Sequence, residues 1–139
     1  MRTVKELSDL TGQVALVTGG SKGMGLAMAE ALAEQGANVV ISSRKIDACQ
    51  VAADSINKAF GEGAAIAIAC NVGYKKQLQA LVDETRERLG PIDILIGNAG
   101  VNPFFGPMSE IPDSAFDKIM QSNVRSNHWI CQMVLPDMI

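Results

Sequence analysis

A glycine-rich loop near the N-terminus, Thr18-Gly19-Gly20-Ser21-Lys22-Gly23-Met24-Gly25, sets the architecture expected of this 139-residue chain. It follows a short apolar run, Val14 to Val17, and opens an Ala-rich helical segment, Met24 to Gln35. Between a buried strand and a helix, glycines allow a phosphate group to approach the backbone amides, because no Cβ intervenes. The βαβ context therefore predicts a dinucleotide site formed by Gly19, Ser21, Lys22, Gly23, Met24 and Gly25. The alternative interpretation is a glycine-rich turn without a ligand.

Strand-like and helix-like segments alternate on both sides of this loop. Short apolar runs at 14–17, 39–41, 65–70 and 92–96 are typical of strands buried on both faces. The segments between them, 24–35, 47–60 and a third, are predicted to be helices. The core face of the third helix consists of Leu78, Leu81, Val82 and Leu89. This order predicts the α/β class with a doubly wound parallel sheet of the Rossmann type.

A long helix is predicted after a loop that contains Phe104 and Phe105. Pro112 and Asp113 suit its first turn, and helical spacing continues as far as Pro136. The two phenylalanines either line an apolar pocket or belong to the core. The residues expected on the inner face of the helix are Phe116, Ile119, Met120, Val124, Ile130, Cys131 and Val134.

Composition excludes several functional classes. With 139 residues the chain, 1–139, is expected to form a single domain, and its net charge of −3 gives no basic surface for nucleic acid. No apolar run reaches the roughly 18 residues of a membrane helix, and the first ten residues do not resemble a secretory signal, so a cytoplasmic location is expected. The three cysteines (Cys49, Cys70 and Cys131) are widely separated, which favours reduced, packed thiols over a metal or redox site.

The end of the second strand indicates which nicotinamide cofactor is bound. Domains that bind NAD place an acid there on the ribose 2′-hydroxyl, whereas this chain has Ser42-Ser43-Arg44 and no acid before Asp47. A guanidinium pairs well with a 2′-phosphate, and Lys22 adds a second positive charge. The sequence thus favours NADP over NAD, with Ser43 and Arg44 at the 2′ position. The alternative is that Arg44 is a solvated surface residue.

Taken together, these motifs resemble the short-chain dehydrogenase/reductase family over nearly the whole chain. Thr18-Gly19-x-x-x-Gly23-x-Gly25 matches the family's cofactor loop, and Lys22 and Arg44 fall where basic residues mark its NADP-preferring members. Residues 101–108 are similar to a carbonyl reductase subgroup. Three further matches are Asn71-Val72 for an Asp-Val pair beside the adenine, Gly97-Asn98-Ala99-Gly100 for an Asn-Asn-Ala-Gly segment, and Asn123 for an asparagine in the long helix.

The resemblance implies roles for these matched positions. It adds Asn71, Val72, Asn98, Ala99 and Gly100 to the cofactor-binding residues. Asn123 would support a proton relay by holding a water that leads to a catalytic lysine; the alternative is a structural amide tied to neighbouring backbone. The sequence departs from the family where Asn71 replaces an acid and where Gly97 replaces an asparagine, which puts one sheet-stabilising contact in doubt.

The family transfers hydride between the nicotinamide and a carbonyl or alcohol substrate, using a serine and a Tyr-x-x-x-Lys pair downstream of the Asn123 helix. This chain ends before such residues, and its only tyrosine, Tyr74, lacks a lysine four residues later. We therefore expect the N-terminal part of a longer domain, with four strands and an exposed edge at 93–97 that further chain or a partner covers. By resemblance the long helix joins subunits of a homo-oligomer. The alternatives are a non-catalytic nucleotide-binding fragment, or truncated isoform, that pairs with another chain, and a scaffold remnant without a ligand.

Overall fold

The four apolar runs form a single parallel sheet with the strand order β3-β2-β1-β4. The computed structural model describes residues 1–139. Its strands are β1 (Val14–Thr18), β2 (Asn38–Ser43), β3 (Ala65–Ala69) and β4 (Ile94–Gly97). The predicted α/β class and its four strands are confirmed, with strand ends that shift by at most two residues.

Helices cover both faces of this sheet. They are α1 (Val4–Leu7), α2 (Gly23–Glu34), α3 (Ile46–Phe60), α4 (Lys75–Leu89), α5 (Asp113–Ile119) and α6 (Ser126–Met138). Between α5 and α6 the backbone forms a π-helical segment, Met120–Arg125, and a 3₁₀ turn lies at Met108–Glu110. The predicted long helix is thus continuous but interrupted in its hydrogen-bond pattern, and Pro136 lies inside its last turns rather than at its end.

Alternation of side chains along β1 divides the core into two layers. Ala15 and Val17 face a cluster with α2 and α3, whereas Val14 and Leu16 face a cluster with α4 and α6. All of β1 is buried, as a central strand between two helical layers requires. Burying apolar surface on both faces contributes roughly 25 cal/mol per Å², so β1 is a rigid base for the loop that follows it.

The long helix packs differently from the sequence prediction. Phe116, Met120 and Val124 are 52%, 42% and 52% exposed, and Cys131 is exposed as well, so their assignment to the inner face was wrong. The inner face instead carries mostly small side chains at Ala115, Ser122 and Ser126, followed by Ile130 and Val134. Small residues let this helix approach the loops of the sheet closely, and that contact leaves the large apolar residues outside.

The connections between the strands create a crevice at one edge of the sheet. From β1 the chain proceeds to β2 and β3 on one side and then crosses to β4 on the other side. In open α/β sheets such a reversal parts the loops at the carboxyl ends of the strands, and ligands bind there. β4 pairs only with β1 and forms an edge of the sheet. None of the helices combines the length and the apolar character needed to cross a membrane.

Candidate functional site

A cleft of about 430 Å³ opens at this point of strand reversal. Its lining includes every residue that the sequence predicts to bind the cofactor: Gly19, Ser21, Lys22, Gly23, Met24, Gly25, Ser43, Arg44, Asn71, Val72, Asn98, Ala99 and Gly100. Four further residues complete the wall: Cys70, Val101, Lys118 and Ser122. Asn123 does not line the cleft.

The glycine loop turns sharply between β1 and α2. Gly19 has φ +64° and Gly23 has φ +58°, a left-handed conformation that costs other residues roughly 1–2 kcal/mol. The Gly20 amide donates to the Ser42 carbonyl at 3.0 Å, which fastens the loop to the end of β2. No side chain caps the N-terminus of α2. The first-turn amides of this helix therefore face the cleft without a side-chain acceptor.

Close contacts hold the loop in this shape. A Cβ on Gly25 would overlap the Gly19 carbonyl oxygen, so only glycine fits there. The Asn98 side-chain amide, which comes from the end of β4, donates to the carbonyls of Thr18 at 3.1 Å and Gly19 at 3.0 Å. The Ala99 amide donates to the Thr18 hydroxyl at 3.2 Å. Residues after β4 thus fix the Thr18 and Gly19 carbonyls and leave the first-turn amides of α2 free to face a ligand.

The residues after β2 form one end of the cleft. The Ser43 hydroxyl lies 3.1 Å from the buried Cys49 sulfur, which holds it at the cleft wall. Arg44 is exposed and takes part in no salt bridge, and the same is true of Lys22. Both cations are therefore available to an anionic ligand.

The residues after β3 form the neighbouring wall. The Asn71 carboxamide oxygen accepts the Gly73 amide at 3.0 Å, whereas its nitrogen has no protein partner and Asn71 lines the cleft. Cys70 is buried, and burial raises the pKa of its thiol to about 11, so it is a neutral thiol at physiological pH. This agrees with the packed, reduced role predicted for Cys70.

The π-helical segment and the first residue of α6 hold two of these loops in place. Gln121 donates from its side chain to the Gly73 carbonyl at 3.0 Å, and the Ser126 hydroxyl donates to the Val72 carbonyl at 2.7 Å. Extra residues in a helical turn are frequent at functional sites, because they redirect side chains and backbone groups. Here the widened turn brings a helix against the loops after β3 and β4. No sequence motif marks Gln121 or Ser126.

Asn123 lies in the middle of that segment and binds the second loop. Its carboxamide oxygen accepts the Val101 amide at 2.8 Å, and its nitrogen donates to the Val101 carbonyl at 2.9 Å. The side chain is thus satisfied by neighbouring backbone, which is the structural alternative considered from the sequence. A contribution of Asn123 to a proton relay stays a prediction.

Other residues singled out by the sequence lie away from the cleft. Phe105 is 99% exposed and Phe104 is half-buried over Gly106, and neither lines the cleft. Tyr74 precedes α4 and is 60% exposed, as expected for a surface residue.

Lys118 and Ser122 are two cleft residues that the sequence did not predict, and only their spacing relates them. They are four residues apart in the helix that contains Asn123, and Ser122 directly precedes Asn123. Both line the cleft. No motif marks them, however, and the apolar pattern assigned the neighbouring face to the interior. Cys70 and Val101 directly adjoin predicted residues.

A second depression of about 540 Å³ lies between α4 and α6 and is open to solvent. Its cation Arg86 already binds the Asp137 carboxylate through Nε at 2.9 Å and the Met133 carbonyl at 2.7 Å. This arrangement ties the two helices together. The other cation of its lining, Lys75, lies over the Trp129 ring, 5.7 Å from the ring centroid, and no glycine lines this depression.

Comparison with known proteins identifies the pattern. A family model described as short chain dehydrogenase matches residues 13–139. The mouse protein "Dehydrogenase/reductase SDR family member 4" is 38% identical over 132 residues, which cover 94% of this chain and 46% of the relative. The chain thus spans about half the length of the curated relatives it matches.

Solved structures of short-chain dehydrogenases resemble this chain in sequence and in fold. A short-chain type dehydrogenase/reductase from Mycobacterium marinum is 36% identical with a TM-score of 0.90, covering 98% of this chain and 54% of that one. A metagenomic short-chain oxidoreductase in complex with NADP is 31% identical with a TM-score of 0.85, covering 93% of this chain and 57% of that one. These similarities reach across the cleft-forming residues.

Proposed function

Because the chain belongs to the short-chain dehydrogenase/reductase family, we propose that its cleft binds NADP(H) for hydride transfer between the nicotinamide and a carbonyl or alcohol substrate. The bound cofactor would supply the hydride chemistry. The residues of this chain bind and orient it. Since the chain spans about half the length of its relatives, the activity of the whole protein is part of this proposal.

The charge of the cleft carries the proposal. Its lining contains Lys22, Arg44 and Lys118 but no Asp or Glu, although the chain as a whole has a net charge of −3. Unpaired cations gathered in one concave surface raise the local concentration of anions. Such a cleft suits a ligand with several phosphates.

The shape of the loop fits the pyrophosphate of such a ligand. Any Cβ at Gly25 would overlap the Gly19 carbonyl, and the uncapped first turn of α2 presents its amides to the cleft. Aligned amides at a helix N-terminus stabilise a negative charge by roughly 0.3–1 kcal/mol or more. We assign the pyrophosphate to residues 19–25 on this basis.

A preference for NADP over NAD follows from the residues after β2. The 2′-phosphate would meet the Ser43 hydroxyl and the Arg44 guanidinium, and no carboxylate lines the cleft to bind a free 2′-hydroxyl or to repel a phosphate. The metagenomic relative was solved in complex with NADP, which supports the same choice. Asn71 and Val72 would contact the adenine, and Asn98, Ala99 and Gly100 would border the remainder of the cofactor.

Asn123 is proposed to take part in the proton relay through its main chain. Its side chain makes one accepted and one donated bond to Val101, so we assign the water to its main-chain carbonyl oxygen. This oxygen accepts one bond from Asn127 at 2.9 Å, and a carbonyl has a second lone pair.

The exposed face of the long helix supports the proposed homo-oligomer. Phe116, Met120, Val124, Leu135 and Met138 are each between 42% and 52% exposed along α5 and α6. A contiguous apolar surface of this kind typically marks an interface. Light scattering on the purified protein should give a mass of a dimer or larger; a monomer at micromolar concentration would contradict this part of the proposal.

Arg44→Asp tests the cofactor assignment. It places a negative charge where the 2′-phosphate would bind, so we expect the Kd of NADPH to rise at least tenfold while the Kd of NADH stays within about twofold. Arg44→Lys is the matched control, because it keeps the charge and should retain most of the preference. Fluorescence titration of both nucleotides provides the measurement. Equal effects on NADPH and NADH, or none, would show that Arg44 is a surface residue without a role in binding.

A further inference from the structure

Gly97 and Asn127 form a complementary pair at the end of β4. A Cβ on Gly97 would lie 2.5 Å from Asn127 Oδ1 and 3.2 Å from its Cγ, so the Asn127 carboxamide occupies the volume of the absent side chain. From there its Nδ2 donates to the Asn123 carbonyl at 2.9 Å. The family has an asparagine at the position of Gly97. In this chain the carboxamide at that point comes from Asn127 on α6 and not from a residue of β4.

This pair fixes one end of a cleft wall. Residues 98–101 all line the cleft, and the Asn123 side chain holds their far end through both polar atoms of Val101. Asn127 contacts the near end at Gly97 and also holds the backbone of Asn123. Displacing Asn127 would therefore loosen both supports of this wall.

This wall lies on the nicotinamide side of the cleft if the proposed function is right. Arg44 and Ser43 would take the 2′-phosphate at one end, and residues 19–25 would take the pyrophosphate in the middle. The segment after β4 then borders the half of the cofactor beyond the pyrophosphate. Asn127 itself does not line the cleft and could act on the ligand only through this segment.

We propose that Asn127 is a positioning residue, whose carboxamide in the space left by Gly97 holds the 98–101 wall in place for the nicotinamide half of the bound cofactor. An amide is required because the Asn123 carbonyl needs a donor, which a carboxylate of equal size does not provide. Glycine is required at 97 because any Cβ would push the carboxamide away. This inference rests on the proposed cofactor site.

The test uses two ligands that share the adenosine half. NADPH spans the whole cleft, whereas adenosine 2′,5′-bisphosphate carries the 2′-phosphate and no nicotinamide. For Asn127→Ala we expect the Kd of NADPH to rise about fivefold, the equivalent of one hydrogen bond of about 1 kcal/mol, with the Kd of the bisphosphate unchanged. Gly97→Ala should reproduce this effect, because its methyl displaces the same carboxamide.

The double variant and a control make the result specific. If both changes act through one contact, Gly97→Ala combined with Asn127→Ala should bind NADPH no more weakly than the weaker single variant. His128→Ala, an exposed neighbour on α6, should bind both ligands like the unmodified chain.

The outcomes separate this inference from the proposed function. If the unmodified chain binds neither ligand, the proposed function fails. If it binds both and Asn127→Ala weakens both equally, or neither, the positioning role is overturned and Asn127 is a purely structural residue. Additive effects in the double variant would likewise overturn it. A lower melting temperature with an unchanged ratio of the NADPH Kd to the bisphosphate Kd would also count against the proposal. Only this ratio reports on the binding of the nicotinamide half.

Discussion

Alanine substitutions in the glycine loop should separate backbone strain from steric overlap. Gly23 has φ +58° and open space around its missing Cβ, so Gly23→Ala adds strain alone, about 1–2 kcal/mol. Gly25 lies in α2 without a positive φ, so Gly25→Ala adds overlap alone. Its Cβ would collide with the Gly19 carbonyl and lie 2.5 Å from Asn98 Nδ2.

The magnitude for Gly25→Ala follows from what the methyl displaces. Asn98 would lose its bonds to the Thr18 and Gly19 carbonyls, each worth about 1 kcal/mol. Alanine normally stabilises a helix by up to about 1 kcal/mol over glycine. The balance predicts a net loss of about 1 kcal/mol or more, where an unhindered helix position would show a gain.

Urea denaturation and NADPH titration of the same samples provide the assay. Gly12→Ala is the control, because Gly12 has φ +82° and open space but lies before β1, outside the cleft. Gly12→Ala and Gly23→Ala should lose similar stability, but only Gly23→Ala, whose methyl projects where a phosphate would approach, should lose NADPH affinity, by about tenfold or more. If Gly23→Ala bound NADPH normally, the loop would not hold the pyrophosphate. A gain of stability in Gly25→Ala would refute the close contact with Gly19.

Two further predictions concern charged residues. Lys118→Ala removes a cation from the cleft, so it should weaken the binding of NADPH and of NADH by the same factor of about two to five at low salt. The difference from the unmodified chain should vanish at high salt. A selective loss of NADPH binding would instead place Lys118 at the 2′-phosphate. Hydrogen bonds from Arg86 and the Ile92 amide lower the pKa of Asp137 below its ordinary value of 3.8, so its stabilising effect is complete above that value and is lost as the pH falls through the lowered pKa. Asp137→Asn should therefore destabilise the chain at pH 7 by about 1–3 kcal/mol, and this loss should shrink as the pH falls below 3.8, measured by urea denaturation across the pH range; a loss that did not change with pH would contradict the ion pair.

The fold and the cofactor cleft were predictable because both depend on local patterns. Strands buried on both faces must be apolar along their whole length, as in Val14 to Val17, and turns such as Gly19 must be glycine. Since parallel strands bring their following loops to one edge, a list of residues after successive strands already describes a cleft.

The first half of the long helix was less predictable because the surface against which it packs is not apolar. Its inner face meets loop backbone, which selects hydroxyls and amides such as Ser126, Gln121 and Asn123 in place of large hydrophobic residues. The large apolar residues, such as Phe116 and Val124, lie on the outer face. A prediction based on the spacing of apolar residues therefore takes the outer face for the inner one. The π-helical turn at Met120–Arg125 also shifts the register, and no sequence signal used for the helix marks it.

The choice of side chains around the cleft has a common electrostatic reason. The loops are anchored by neutral groups, among them Asn98 on the glycine loop, Asn123 on Val101 and Ser126 on Val72. Carboxylates in these positions would repel a phosphate. Ammonium or guanidinium groups there would need buried acids as partners, and those acids would bring negative charge back to the cleft. Neutral donors therefore fasten the loops and leave the cations of the cleft unpaired. The substitution of Asn71 for the family's acid removes one more negative charge from the same surface, so it strengthens the attraction for a polyanionic ligand that the rest of the cleft already exerts.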